Sequence, residues 1–329
     1  MESTGVYWMP VYRRLEGYFE LIVAKAQHRK AVRGRKTDVQ DAEWIADLFH
    51  HGLLTASFVP GQEQQELRDL TRLRVSLTQE RARLVNRVHK VLDSAGCQLS
   101  AVLSDILGLS GTRILQAWCA GESDPRRLAR LMHPGVKATE EQVIAALSAE
   151  VREHHRFVLR ELLELIEVQD RSIARLEAEM ERHLSPFEEQ MERCEPINGV
   201  SRQVLYVLMA EIGTDLERFP DAEPLSSWAG VCPGQNESAG KRLSGRARKG
   251  NRYLRAALVQ AAHGVRRSRT YLGEPYRRLK KRRGSKRAAL AVAHRILVIY
   301  DQMLKTGEEY QEKGEAFVAR KDQGKVEQQ

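Results

Sequence analysis

QEQQELRDLTRLRVSLTQERARLVNRVHKVLDS, residues 62–94, sets the architecture of the chain. Leu70, Leu77, Leu84 and Val91 recur every seven residues, Leu67, Leu73 and Val88 lie beside them, and charged residues fill most other positions. That period lays an apolar stripe along one side of a long helix, and the stripe needs a partner. A second such arm spans about Glu140 to Leu184, where Leu159, Ile166, Ile173 and Met180 form one row and Leu162 and Leu176 the other side of the seam. Ser185-Pro186 closes it. The two arms predict a helical coiled-coil hairpin, and an intramolecular antiparallel pair and a dimer seam satisfy the pattern equally. Between them, residues 96–136 carry Gly108, Gly111, Gly121, Pro125 and Pro134, which predicts short helices and turns.

Working outward, residues 1–60 read as α/β, with strand character over Glu20–Ala26 (ELIVAKA), a helix from about Thr37 to His50, and Pro60 as a stop. Beyond Cys194 the pattern changes to short helices: Val204–Ile212, then a Gly/Pro/Asn/Ser loop from Gly230 to Gly250, then about Asn251–Arg266 and Ser285–Leu304. Leu290, Ala293, Leu297 and Tyr300 share one face of the last of these. The expected fold is an α-rich α+β arrangement in four segments: 1–60, a helical region 61–190, a small helical domain 191–310, and a charged tail 311–329.

The chain has 329 residues, 42% of them hydrophobic, enough for buried cores, with neither a membrane-length apolar run nor a secretory leader. A cytoplasmic location is expected. Cys97, Cys119, Cys194 and Cys232 are too scattered for a zinc ribbon or a disulfide framework. The net charge of +9 is unevenly spread, because residues 241–287 hold 18 Lys or Arg against one acid, Glu274. The remainder of the chain is net acidic. Such a block is suited to a polyanion, since neutralising phosphates releases their counterions, although a solvated surface would look similar. Interleaved Tyr253, Leu254, Tyr271, Tyr276 and Leu279 favour folded helices over a loose basic tail.

Two places carry candidate chemistry. In GRKTDVQDAEWIADL, Asp38 and Asp41 are three residues apart at the opening of a helix, on one face, and hard oxygen donors suit Mg²⁺ or Mn²⁺. First-turn acids behind a Thr37 cap would also complement the helix dipole, and both readings stand at this point. In GQNESAGKR, residues 234–242, Ser238 sits between small neighbours with Lys241, Arg242, Arg246, Arg248 and Lys249 following, and Arg252 and Arg255 further on. An unhindered hydroxyl among cations can approach a phosphodiester, yet loop serines are commonly turn or cap groups. Ser244 is its rival. The paired histidines, His50-His51 and His154-His155, lack companions at metal-ligand spacing.

ESTGVYW at residues 2–8, GRKTDVQDAEWIADL at 34–48 and RKGNRYLRAAL at 248–258 resemble, in that order, the insertion-sequence-110 transposases, also called DEDD transposases. The resemblance implies a RuvC-like, ribonuclease-H-type N-terminal domain in residues 1–60, whose four acids bind a pair of metal ions. Glu2 matches the second acid, and Asp38 and Asp41 the third and fourth. The first has no counterpart, so the chain is expected to be N-terminally truncated, with an incomplete metal site and no strand exchange by itself. WAGVCPGQNESAGKRLSGRARKGNRYLR resembles the family's C-terminal transposase domain, which implies that Ser238 is the nucleophile and forms a covalent phosphoserine link to DNA. It further implies donor and target DNA and a bridge RNA as partners, and a tetrameric homo-oligomer. EPINGVS is similar to the family's P-G-I-G turn, with Ser201 where a second glycine is common, which leaves Gly199 between phosphate binding and plain packing. The rival functions are a non-catalytic nucleic-acid-binding remnant and a Holliday-junction resolvase, and Ser238 argues against the latter.

Overall fold

The computed structural model describes residues 1, 5, 7–24, 38–54, 56–214, 216, 219–232, 236–238, 241–244, 247 and 249–314, and gives the backbone alone for 38, 40, 41, 236–238 and 241–244. The chain divides into two compact units, Met1–Gln65 and Glu66–Gln329.

In the first unit, the helices among the described residues before Pro60 are α1 (Trp8–Leu15) and α2 (Asp38–His50), with Thr37 of the expected helix outside them. Of the stretch expected as a strand, Glu20–Ala24 is described and is bonded from both sides, while residues 25 and 26 lie outside the described residues. The Met1 ammonium donates to the Ile22 carbonyl at 2.8 Å and the Ala24 amide to the Met1 carbonyl at 2.7 Å. On the other side the Ser57 amide donates to the Val23 carbonyl at 2.6 Å, beside a single antiparallel bridge between Ala24 and Ala56. Val23 and Ala24 are buried, so hydrophobicity drew this stretch inward, but the described residues contain one bridge there and no ladder. Arg13 Nη2 donates to Gln65 Oε1 at 2.8 Å, and Gln65 Nε2 to the Pro60 carbonyl at 2.7 Å, which ties α1 to the end of this unit.

The second unit is helical. The heptad segment is α3 (Gln62–Ser94), and the connecting region folds as α4 (Leu99–Val102), α5 (Leu109–Cys119), α6 (Pro125–Ala129) and α7 (Glu140–Leu147). The second long arm is α8 (Glu153–Leu184), shorter at its start than the periodicity predicts. A break at residues 148–152 separates it from α7 because backbone bonds pull that region onto the end of α3: the Gln98 amide donates to the Ala146 carbonyl at 3.0 Å and the Glu150 amide to the Ala95 carbonyl at 3.1 Å. Long-range bonds of this kind outweigh local helix propensity.

α3 and α8 run antiparallel within one chain. Arg74 Nε donates to Glu177 Oε1 at 2.7 Å, Arg81 pairs with Asp170, and Gln169 Nε2 reaches Glu80 at 3.4 Å. Seven residues forward on one helix correspond to seven back on the other. At one end of the pair, Leu84, Val88 and Leu92 meet Leu159, Leu162 and Ile166 in a core completed by Leu99, Ile114, Trp118, Leu128 and Leu147. At the other end Leu67, Met180 and Leu184 join a second core with α9 (Glu188–Cys194), α10 (Arg202–Ile212), α11 (Ala222–Ala229), α12 (Arg252–Gly264), α13 (Gly273–Arg283) and α14 (Ser285–Thr306). α10 is buried along its length from Val204 to Ile212, and Ala293, Leu297 and Tyr300 of α14 are fully enclosed with Leu290 half-buried beside them.

Among the described residues the one sheet is a hairpin of β1 (Asn236–Ser238) and β2 (Lys241–Ser244). The fold is thus α-rich, as its periodicities predicted. No described helix is long and apolar enough to cross a membrane.

Candidate active site

α2 opens at Asp38, and Asp41 follows one turn later, where acids and a shared cation are compatible by spacing. Their side chains and all of Glu2 lie outside the described residues. Among the described residues, no three His, Cys, Asp or Glu side chains are grouped to hold a metal ion. These acids belong to the first unit, and Ser238 belongs to the second.

Ser238 ends β1 and is paired directly with Lys241, which starts β2, so these positions face each other across the ladder next to the turn. Ser244 pairs with Asn236 at the far end, beyond a register shift between Asn236 and Glu237. The two serines therefore differ in position, one at the tip of the hairpin and the other toward its base.

The base of this loop is stitched together. α11 ends at Gly230, whose left-handed φ of 72° reverses the chain. Where the chain returns, the Asn251 amide donates to the Trp228 carbonyl at 3.0 Å. Gly250 lies so close to that turn that a Cβ there would stand 2.4 Å from the Gly230 nitrogen and 2.5 Å from the Trp228 oxygen. Only glycine fits such an approach.

Asn251 then links the loop to the core. Its Oδ1 accepts from the Tyr253 and Leu254 amides at 3.0 and 3.1 Å, capping α12, while its Nδ2 donates to Glu211 Oε2 at 2.6 Å. Glu211 has no exposed surface and receives Arg72 through two parallel bonds of 2.8 Å from Nε and Nη2. Arg68 approaches the same carboxylate at 3.4 Å and donates to the Ala210 and Glu211 carbonyls at the end of α10. Burial brings the Arg68 guanidinium down to about 10, with Glu211 opposing and Arg72 adding to that fall; at Arg72 burial is again the largest single influence and pulls downward, but the bond and charge of Glu211, with Tyr253 and Asp69, together raise it. The Arg72 and Arg252 guanidinium groups each lie near the Tyr253 ring, at 4.9 and 4.6 Å from its centre. The sequence reading placed Asn251 only at the start of a helix and did not find the network; Glu211 is hidden in the apolar run VLYVLMAEI, and its arginines stand about 140 positions away.

The basic positions divide in the same way. Lys249 and Arg252 are exposed and Arg255 half-buried on the first turn of α12, Lys241 and Arg242 are in β2, and Arg246 and Arg248 lie outside the described residues. Gly199 has φ +85°, and a Cβ on it would stand 2.4 Å from the Ala261 carbonyl oxygen, so it lets this turn pack on α12. Acids surround that turn: Asn198 bonds Glu312 at 2.5 Å, and Arg202 is taken up by Glu188 and Glu195 at 2.8 and 3.0 Å. The packing role is the one this geometry supports. The cysteines are free, and burial raises the Cys97 and Cys194 thiols to about 11, far from reactive thiolates.

The described residues thus give an α-rich chain with Ser238 at the end of a hairpin strand, on a loop closed at its base. Comparison with known proteins makes the class specific. Residues 1–96 match a family model described as transposase, of the DEDD type, and residues 191–277 match one described as "Transposase IS116/IS110/IS902 family". A "Probable family 20 transposase" of Pseudomonas aeruginosa is 26% identical over 268 residues, covering 80% of this chain and 70% of that protein. The "Transposase for insertion sequence element IS1111A" of Coxiella burnetii is 25% identical over 295 residues, covering 86% and 71%. The chain belongs to the insertion-sequence-110 family of transposases. Its buried network joins the two matched regions, with Arg68 and Arg72 in one and Glu211 and Asn251 in the other.

Proposed function

We propose that this transposase cuts and rejoins DNA through Ser238, and the observation that carries the reading is its place at the tip of the hairpin, directly opposite Lys241. The Ser238 hydroxyl loses its proton as Oγ attacks a backbone phosphorus. An Oγ–P bond forms, one P–O ester bond breaks, and the departing DNA hydroxyl takes up a proton. The phosphoserine link keeps the ester, so a second DNA hydroxyl can displace Oγ and reseal the strand without an external energy source. The cations that follow Ser238 in the sequence, Lys241, Arg242, Arg246, Arg248, Lys249, Arg252 and Arg255, hold the phosphates of the donor and target DNA.

Glu2, Asp38 and Asp41 supply an all-carboxylate donor set that suits a hard divalent cation, and two of them are a single helical turn apart at the start of α2. When bound, Mg²⁺ or Mn²⁺ would favour the deprotonated hydroxyl and the leaving oxygen. A structured bridge RNA selects the sites by base pairing, and the assembly is a homo-oligomer. The test is a denaturing gel of the protein with labelled element-end DNA, bridge RNA and Mg²⁺. With a family segment carrying the first acid fused ahead of Met1, a protein–DNA adduct is expected, lost with chelator and in Ser238→Ala and retained in Ser244→Ala; the 329-residue chain without that segment should give none. An adduct that persists in Ser238→Ala overturns the assignment.

A further inference from the structure

The match to the family's C-terminal domain ends at residue 277, and the densest positive charge of the molecule lies just beyond it. Lys280, Lys281, Arg282 and Arg283 form the last turn of α13, and Lys286 and Arg287 follow on the first turn of α14. All six are exposed, and among the described residues none makes an ion pair. One or two cations at a helix C-terminus would complement its dipole. Six at one corner exceed that need, and their repulsion, weak in water, is relieved further when a polyanion docks and its counterions are released.

The corner is rigid. Gly284 turns the chain with φ +82°, and the buried Tyr276 hydroxyl bonds Ser285 Oγ at 2.8 Å and His263 Nδ1 at 3.0 Å, which fixes both helices to the end of α12. α12 begins at the stitched base of the serine loop, and at about 1.5 Å per residue the helix rises about 17 Å from Arg252 to His263. That is about half a turn of duplex, so the corner and the hairpin base cannot share phosphates. Residues 277–287 contain no aromatic on which an unpaired base could stack, which disfavours single strands.

We propose that the α13–α14 corner is a second DNA-docking surface, separate from the serine loop, that grips the phosphate backbone of duplex DNA without regard to sequence. Its partner rests on the chain's being a transposase, and it is independent of the role given to Ser238. The test is fluorescence anisotropy of the full chain with duplex DNA of arbitrary sequence across about 50–200 mM salt. In the quadruple variant Lys280→Ala, Lys281→Ala, Arg282→Ala, Arg283→Ala, the log–log salt slope should be shallower by about 2–4 and binding at the low-salt end weaker by at least about tenfold. Arg282→Lys with Arg283→Lys should bind as the parent does, because phosphates accept point charges. Ser238→Ala should leave the slope unchanged, so failure of the serine assignment would not disturb this result. If the quadruple variant misfolds, Lys281→Gln with Arg282→Gln carries the same test with a slope change of about 1–2. An unchanged slope in a folded variant overturns the proposal. Loss of binding to an RNA hairpin with duplex DNA binding intact also overturns it, assigning the corner to RNA.

Discussion

Glu211 is enclosed, and Arg68, Arg72 and Asn251 converge on its carboxylate. Neutralising it in place, as in Glu211→Gln, leaves the buried Arg68 guanidinium and the half-buried Arg72 guanidinium with no counter-charge at this site. Removing one partner of a buried ion pair costs about 3–5 kcal/mol, so the variant should show a loss of that order in urea unfolding. Gly250→Ala should cost about 1–3 kcal/mol, because its methyl group would overlap two backbone atoms of the Trp228–Gly230 turn; wild-type stability in that variant would mean that the loop base is not closed as described. At this scale the sequence offered candidates by chemical type: Ser238 was singled out because cations follow it, and Asn251 was placed only as the start of a helix. Glu211 was illegible because a lone acid in an apolar run gives no sign of partners brought from elsewhere in the chain.

Among the elements, the seven-residue rows of α3 and α8 were readable, and so was their antiparallel pairing as one of two solutions. The break between α7 and α8 was not, since it depends on amides of residues 98 and 150 finding carbonyls at 146 and 95. What holds the pair is decided by magnitudes. Arg74 and Glu177 are partly exposed, and such bridges contribute about 0–1 kcal/mol, whereas truncating an enclosed side chain such as Leu162 or Ile166 costs about 2–5 kcal/mol. Arg74→Ala should therefore scarcely move the denaturation midpoint and Leu162→Ala should move it far; equal effects would show that the polar ladder dominates. α14 adds a pH response. Burial, assisted by Arg295 and opposed by Glu223, lowers His294 below its ordinary value of 6.5. A histidine depressed in the folded state favours folding when neutral, so that contribution is complete above pH 6.5 and is lost as the pH falls through the folded value. Thermal midpoints measured from pH 8 to 5 should decline less steeply in His294→Gln than in the parent.

For the whole molecule, composition and periodicity were enough to predict helices, and three short motifs to suggest the family that the comparisons then supplied. Charge was legible as a block over residues 241–287, but its division between a hairpin and a distant corner was not. A linear count cannot register the length of α12, which separates them. Nor could the linear pattern foresee that the described part of the expected strand near the N-terminus would be held by a pair of bonds to Met1 on one side and by the Ser57–Val23 bond with one bridge on the other, rather than by a ladder.

The closed base between Trp228 and Asn251 also bears on how the family can diversify. Because the chain leaves and re-enters the core at nearly the same point, the intervening residues form a cassette whose length and composition can change without asking α11 or α12 to move. Exchanging this cassette between relatives, with Gly230, Gly250 and Asn251 kept as the clasp, should leave the surrounding helices folded.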